Sequence, residues 1–353
     1  MISITTTFNT VYFSAELPDE VIFTTDNPYI EVRVYYFHAV FFRTTLYPYN
    51  GKTTFHDLRS LIETAIIKEG YSHGTFSIFA MYDSQTASTN EFDVIYSDII
   101  QSYSAESFCS SHFLTTRTSF RISRDGTQRL SLFAKANETY DGYTECVVLP
   151  NGATRPVVLR MTDTVSRVSG WAAGVDYFDI NTELIQDAVY DYFPEQAGTL
   201  LAFTVHRGGR AMTFFVTDER FSVSFSFRNA FDCIEYAEIT AVTTAKQKME
   251  QSEAVCQRNH IFYDRQTEQT FEVETACLTY EEAVWLNQML ASREVKNTAA
   301  IGSDKEVLII ESTSEISDSD DAKNRIKFTW KYAKDVQRQR IASKPINFTT
   351  ELA

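Results

Sequence analysis

The chain has 353 residues and carries 47 acidic against 32 basic side chains, which gives a formal net charge of −15 at pH 7. A surface this acidic repels phosphate backbones and anionic lipid, so sequence-specific nucleic-acid binding is not expected. Hydrophobic residues make up 44% and aromatic residues 14% of the chain, a composition that supports packed cores and argues against disorder.

The first third of the chain alternates strand-like runs with turns and then predicts one helix. The segments "VIFTT" and "YIEVRVYYFHAVFFRTTLY" have the composition of strands. Thr54 and Asp57 have the spacing of a capping box, and Gly70 stands where a left-handed C-cap is expected, so a helix is predicted over 55–69. Its apolar stripe consists of Leu58, Leu61, Ile62, Ala65 and Ile66. Residues 84–107 fit either a loop or an edge strand.

The middle third predicts meandering strands, a short helix and a hairpin. Asp125-Gly126 and Asp141-Gly142 are turn signals between successive strands. Asn181 is a candidate N-cap for a helix over 181–193. The segment "TLLAFTVHRGGRAMTFFVTD" predicts a β-hairpin with Gly208-Gly209 at its tip.

The last third contains "FSVSFSFRNAFDCIEYAEI", in which apolar residues alternate before Arg228-Asn229. This pattern predicts a strand, a turn at Arg228-Asn229 and a returning strand. Thr279 and Glu282 form a capping box that predicts a helix over 280–292. The other predicted strands cover 233–245, 260–264 and 269–278, followed by "KEVLIIES" and "RIKFTWKYA".

These elements predict a β-rich α+β fold with several antiparallel sheets or β-sandwiches, each packed against about one helix. Three β-rich domains are expected, with boundaries at 1–125, 126–227 and 228–353. Each contains one of the predicted helices, over 55–69, 181–193 and 280–292.

The N-terminus lacks the basic region and the apolar segment of a signal peptide, and no run of about 18 apolar residues occurs anywhere. The chain has five cysteines, an odd number with wide spacing and no CxxC pair. Buried thiols in a reducing compartment fit this pattern better than a disulfide framework. We therefore expect a protein that is folded in a cytoplasm and has no membrane span.

No motif in the sequence predicts a catalytic, cofactor or metal site. No serine lies in a GxSxG motif, and Gly51-Lys52-Thr53 lacks the upstream glycine of a phosphate loop. The six histidines are scattered, and carboxylates are too numerous to single out a glycosidase pair. The acidic segment 311–321 lacks the glycine of an EF-hand and is expected to be a solvated loop.

Aromatic residues give the most specific functional indication. Tyr35-Tyr36 and Phe41-Phe42 are adjacent pairs, and neighbouring strand residues face opposite sides of a sheet, so one member of each pair is expected in the core and the other on the surface. With Tyr47 and Tyr49 they predict an exposed aromatic surface for protein or sugar binding.

Several segments resemble uncharacterised tail or tail-tip structural proteins of Bacteroides-type tailed phages and prophages. At the N-terminus these are "TVYFSAELPDEVIFTT" and "GKTTFHDLRSLIE". Further along, "MTFFVTDERFSVSFSFRNAFDCIEYAEITAVTTAK", "YEEAVWLNQMLASREVK", "KEVLIIESTS" and "IKFTWKYAKDVQRQR" carry the similarity. The resemblance implies a distal-tail or baseplate-like component that forms a ring with copies of itself and with other phage tail proteins, in a virion assembled in the host cytoplasm.

The leading hypothesis is therefore a non-enzymatic structural protein of a phage virion. A second hypothesis is a carbohydrate- or receptor-binding fibre or adhesin module that contacts host-surface glycan through tyrosines and Trp171 or Trp285; in the predicted helix, Trp285 is expected to pack against the sheet. A third is a cell-wall hydrolase, for which no catalytic acid can be named.

Overall fold

The computed structural model describes residues 1–99, 103–163, 172–196, 198–219, 221–256, 259–298, 304–318 and 323–334. Within these ranges the chain forms several mainly antiparallel sheets and four α-helices. The predicted β-rich α+β class is confirmed.

The N-terminal part is a sandwich of two sheets with one helix. Its strands are β1 Ser3–Ile4, β2 Val11–Phe13, β3 Val21–Thr24, β4 Ile30–Tyr36, β5 Ala39–Leu46, β6 Lys52–Phe55, β7 His73–Tyr82, β8 Gln85–Ser88 and β9 Phe92–Ile95, and its helix is α1 Leu58–Glu69. One sheet has the order β1-β3-β6 and the other β2-β9-β7-β4-β5, with β8 added to β7. Phe23, Val34 and Ile62 bring both sheets and α1 into one core.

Helix α1 begins differently from the prediction. Thr54 lies in strand β6, so the expected capping box does not form. Asp57 is the N-cap, in a left-handed conformation at φ 62°, and its side chain makes no capping hydrogen bond. The predicted C-cap is confirmed, because Gly70 has φ 75° and its N–H donates to the Ile66 carbonyl.

The middle part contains two sheets and two helices. Its strands are β10 Ser119–Ser123, β11 Thr127–Ala134, β12 Gly142–Pro150, β13 Val157–Asp163, β14 Gly174–Asn181, β15 Gly198–Arg207 and β16 Arg210–Thr217, and its helices are α2 Ala105–Ser111 and α3 Thr182–Tyr192. The hairpin with Gly208-Gly209 at its tip is confirmed, since β15 pairs with β16 up to Arg207 opposite Arg210. The predicted meander is wrong: β10 pairs in parallel with β16, and β11 pairs with β14 of a separate sheet.

The C-terminal part is a seven-stranded sheet with one helix. Its strands are β17 Val223–Arg228, β18 Ile234–Ile239, β19 Ala241–Cys256, β20 Asn259–Thr275, β21 Val295–Asn297, β22 Lys305–Glu315 and β23 Arg325–Tyr332, and its helix is α4 Tyr280–Ala291. The order is β18-β17-β21-β22-β23-β20-β19. Because only Thr240 separates β18 from β19, which lie at opposite ends of this order, the sheet must curve strongly.

The middle and C-terminal parts share one hydrophobic core. Phe120 and Phe214 of the middle part belong to the same cluster as Phe225 and Trp330 of the C-terminal sheet. Strand β17 (Val223–Arg228) spans the expected boundary at residue 227 and pairs with both β18 and β21. The division into three domains stays a prediction.

A turn after β17 joins all parts of the molecule. The predicted turn begins one residue later than expected, because Arg228 still belongs to β17, and the buried Asn229 side chain accepts hydrogen bonds from the backbone N–H groups of Phe231 and Cys233. The Phe231 ring then packs 5.5 Å from Phe13 of β2 and 5.6 Å from Phe108 of α2. These rings belong to a third core, which lies where the three parts meet and which we call the junction.

Arg210 fixes α2 to the middle sheets. Its side chain is 2% exposed, and it donates from Nε to the Cys109 carbonyl at 2.7 Å and from Nη2 to the Phe133 carbonyl at 2.9 Å. Glu138 lies 3.2 Å from Nη2 and supplies the opposite charge. A planar guanidinium suits such a buried, multiply bonded position, so Arg210 acts as a structural anchor.

Candidate functional site

The most distinctive surface feature is a long β-hairpin that projects from the edge of the C-terminal sheet. β19 has 16 residues and β20 has 17, and they pair along their whole length. β23 pairs with β20 only over Phe271–Glu274. Within the described part of the chain, residues 246–256 and 259–270 therefore pair only with each other, and we call this segment the arm. At a rise of about 3.3 Å per residue, the arm extends roughly 35 Å.

One face of the arm is charged and ion-paired. Lys246 contacts Glu272, which also binds Lys327 of β23. These two hydrogen bonds lower the pKa of Glu272 to about 2. Nearer the tip, Lys248 lies 2.7 Å from Glu250. The charged face keeps the arm soluble and ties its base to β23.

The opposite face of the arm carries no charged side chain along the described stretch of β19 before Glu253. It presents Thr243, Ala245, Gln247, Met249 and Gln251. At its base this face meets a ladder of aromatic rings: Phe271 stacks on Trp330 at 4.3 Å. Tyr332 lies edge-on to Trp330 at 5.1 Å. An uncharged face on a rigid aromatic base has the composition of a protein-contact surface.

The arm is accessible on both faces and along its outer edge. Lys248 of the arm is 71% exposed on the charged face, and Met249 is 45% exposed on the opposite face. β19 is the last strand in the sheet order, so its outer backbone groups pair with no strand among the described residues. A two-stranded hairpin alone is marginally stable in water, and an open edge invites another strand. The arm is therefore the candidate functional site.

Sequence reasoning missed the arm. Strands were predicted over 233–245, 260–264 and 269–278, whereas β19 covers Ala241–Cys256 and β20 covers Asn259–Thr275. The stretch from Val242 to Gln251 lacks the alternation of apolar and polar residues that predicts a strand. Neither face of this described stretch is buried, so no apolar residues are needed on either face. The β-branched residues Val242, Thr243 and Thr244 are the one local sign of a strand there.

A second feature is a cavity of about 370 Å³ between β10, β18 and α4. Its wall combines apolar rings such as Phe120 and Trp285 with the charged side chains of Arg117, Glu238 and Glu282. Burial disfavours the ionised form of Glu282, but hydrogen bonds from Arg121 and from the Thr279 N–H outweigh this effect and lower its pKa. Glu282 thus serves as the N3 residue of the α4 capping box, which confirms the predicted pair with Thr279.

Arg117 is the most buried cation of this wall. Its Nε donates to the Ser119 carbonyl at 2.9 Å, and its guanidinium lies 5.3 Å from the Phe120 ring and 5.4 Å from the Trp285 ring. Burial lowers its pKa, and the charge of Glu282 acts in the opposite direction. Arg117 therefore holds α4 against the middle sheet.

Behind the cavity lies a buried carboxylate. Trp285 Nε1 donates to Glu235 at 2.5 Å, and Asn229 Nδ2 donates to the other oxygen of Glu235 at 2.6 Å. Burial raises the pKa of Glu235, and these hydrogen bonds oppose the shift. Glu235 thus connects α4 to the turn that carries Phe231, and the side chains around the cavity make structural contacts between elements.

The aromatic pairs are placed differently from the expectation. Tyr35, Tyr36, Phe41 and Phe42 are all half-buried, so the prediction of one core and one surface member in each pair is wrong. Both faces of this sheet are covered by other rings: Tyr35 packs on Phe79 at 4.9 Å, and Tyr36 stacks on Phe76 at 5.0 Å.

Exposed tyrosines gather at one end of the N-terminal sheet. Tyr47 is 74% exposed and Tyr49 is 81% exposed, as expected. The Tyr29 ring lies 6.4 Å from Tyr47 and 5.0 Å from Tyr82. We call Tyr29, Tyr47 and the half-buried Tyr82 the tyrosine cluster, and Tyr49 follows Tyr47 by two residues in the chain.

The remaining candidates are dispersed. Trp171 lies outside the described residues, and Trp285 is buried, as expected for a residue that packs between helix and sheet. His73 is buried and bonds to Asp93 at 3.0 Å, whereas His38 is exposed beside Glu91. The expected loop over the acidic segment 311–321 is wrong for residues 311–315, which belong to β22, and 319–321 lie outside the described residues.

Among the described residues, no three His, Cys, Asp or Glu side chains are grouped in a way that would hold a metal ion. None of the described helices is both long enough and apolar enough to cross a membrane. No protein-family model matches the chain, and a search of curated proteins finds no match.

Proposed function

We propose that this protein is a non-enzymatic structural component of a tailed-phage virion, located in the tail or tail tip. In this proposal, copies of the chain assemble in a ring together with other tail proteins. The arm is the observation that carries it. A hairpin of this length, with an open edge and no core of its own, gains stability when a neighbouring subunit covers it.

The rest of the molecule supports a role in assembly. The ring cluster at the junction and the buried Arg210 and Glu235 contacts join the three parts, so an arm anchored on one part has a fixed direction relative to the others. Strand β5 also ends its sheet with a free edge in the described part of the chain. A symmetry-related neighbour is one way to cover such an edge.

Two measurements test the proposal. Mass spectrometry of purified phage particles from a host that carries the gene is expected to find this chain in several copies per virion. Negative-stain imaging and mass measurement of the purified chain are expected to show closed oligomers. A chain that is absent from virions and remains monomeric at all concentrations would exclude the proposal.

The tyrosine cluster favours a second candidate function, the binding of host-surface glycan. Exposed aromatic rings provide flat apolar surfaces beside hydroxyl groups, which suits sugar rings. A glycan array tests this candidate. Binding that disappears in Tyr47→Ala and persists in the control Tyr192→Ala, a similarly exposed tyrosine of α3, would support it. An array without any signal would remove it.

A further inference from the structure

The outer edge of β19 has a self-complementary order of charges. Met249 is flanked by Lys248 on one side and Glu250 on the other, and then by Gln247 and Gln251. When two identical strands pair antiparallel about Met249, each residue lies opposite the residue equally far from Met249 in the other copy. Lys248 then faces Glu250 of the partner subunit, and each Gln247 faces Gln251 of the partner subunit.

Registers centred on nearby residues place like charges opposite each other. Pairing centred on Lys248 places two Lys248 side chains opposite each other, and this like-charge pair offsets part of the two pairs that Lys246 then forms with Glu250 of the partner subunit. Pairing centred on Glu250 places two Glu250 side chains opposite each other. A centre at Gln247 makes Lys246 face Lys248 of the partner subunit. Opposite charges directly across an antiparallel pair stabilise it and like charges destabilise it, so the charges select the register at Met249.

The surface chemistry fits a second copy of the chain. Lys248 and Glu250 have 71% and 63% of their side chains exposed, and they pair with each other at 2.7 Å in the single chain. Across the edge, each would exchange this partner for the same residue type of the partner subunit. Met249 is half-exposed and lies on the uncharged face, where two copies of it would meet on the symmetry axis. Pairing converts two marginal two-stranded arms into one four-stranded sheet.

We propose that two copies of this chain join through their arms, with the β19 strands paired antiparallel about a two-fold axis at Met249. This inference rests on the proposed function, because it requires that the chain assembles with itself. The contact is isologous and joins copies in pairs, so a ring would use a further, different interface.

Single cysteines on the arm test the register. Residues directly opposite each other have Cα atoms about 5 Å apart, within the range of a disulfide. Two Gln247 residues would lie roughly 13 Å apart along the strands, beyond that range. The variants Met249→Cys, Gln247→Cys and Gln251→Cys are made in a background with Cys256→Ser and Cys277→Ser, and disulfide-linked dimers are measured after mild oxidation.

The register predicts strong cross-linking of Met249→Cys, weak cross-linking of Gln247→Cys or Gln251→Cys alone, and strong cross-linking when those two variants are mixed. Equal cross-linking at all three positions, or none at Met249→Cys in a chain that still forms oligomers, would overturn the arm pairing and leave the proposed function standing. A chain that is monomeric by mass measurement would overturn both.

Charge exchange provides an independent readout. Lys248→Glu or Glu250→Lys alone places like charges opposite each other, and each is expected to weaken dimerisation about tenfold. The double variant with both changes restores the alternation and is expected to return to the original affinity. Failure of the double variant to recover, in sedimentation experiments, would contradict the pairing.

Discussion

The rings of Phe13 and Phe231 lie 5.5 Å apart and connect strand β2 of the N-terminal sandwich to the turn that follows β17 in the C-terminal sheet. Phe108 of α2 completes the contact at 5.4 Å from Phe13. Around them, Asp98 donates its N–H to the Ala230 carbonyl, and Ser72 donates its hydroxyl to the Asp232 carbonyl. The junction therefore sets the position of the N-terminal sandwich relative to the arm.

Phe231→Ala is expected to lower the free energy of unfolding by about 3–5 kcal/mol, because it leaves a cavity among buried rings. Urea unfolding followed by circular dichroism measures this change. The matched control is Phe215→Ala, at a position that is 52% exposed, where a loss below about 1 kcal/mol is expected. Equal losses for the two variants would show that the junction does not hold the parts together.

Trp285→Phe is expected to cost more stability than Trp330→Phe, although both remove a buried indole. Trp285 Nε1 donates a hydrogen bond to the buried Glu235, and Trp285→Phe would remove this donor from the carboxylate. Trp330 Nε1 has no hydrogen-bond partner among the described residues. The expected difference is about 1–3 kcal/mol in the free energy of unfolding. A larger loss for Trp330→Phe would contradict the assigned role of Glu235.

Glu294 is expected to make stability depend on pH in acid. Hydrogen bonds from Lys296 at 2.5 Å and Arg228 at 2.6 Å lower its pKa from 4.5 to about 2. A carboxyl with a lowered pKa stabilises the folded state above its unfolded pKa, and this contribution is lost as the pH falls from 4.5 towards 2.

Glu294→Gln is therefore expected to reduce stability at neutral pH and to flatten the pH profile in that acid window. Because the Glu294 side chain is 31% exposed, solvent screening limits the effect to about 1–2 kcal/mol. Thermal unfolding at a series of pH values measures it, with the exposed Glu195→Gln as control. A variant whose profile parallels that of the unchanged protein would refute the assignment.

The sequence predicted those elements whose local signals agree with their tertiary surroundings. Thr279 and Glu282 form the expected capping box, and Asn181 accepts the Leu184 N–H as expected for an N-cap. Thr54 has a similar spacing to Asp57, but pairing of β6 with β3 keeps Thr54 extended, so the helix starts without that cap. Tertiary pairing outweighed a cap worth about 1 kcal/mol.

Local sequence patterns could predict neither the long-range strand pairing nor the arm. Turn signals such as Asp125-Gly126 place a chain reversal, but they do not specify that β10 pairs in parallel with β16. In the arm, Lys246, Lys248 and Glu250 occupy a strand whose two faces both meet solvent. Hydrophobic alternation records burial within one chain, so it gives no signal for a strand that lies outside the core of its own chain.

Replacement of the arm is the most direct test of assembly. Ala245 pairs with Phe271, so Lys246–Thr270 can be replaced by an Asn-Gly turn that closes the shortened hairpin. The shortened chain is expected to keep its circular dichroism spectrum and nearly all of its thermal stability, because the described part of the arm adds nothing to the buried core. Mass photometry then compares it with the 40.4 kDa full-length chain. We predict oligomers for the full-length chain and smaller species for the folded armless variant; identical masses for the two would contradict the assembly role of the arm.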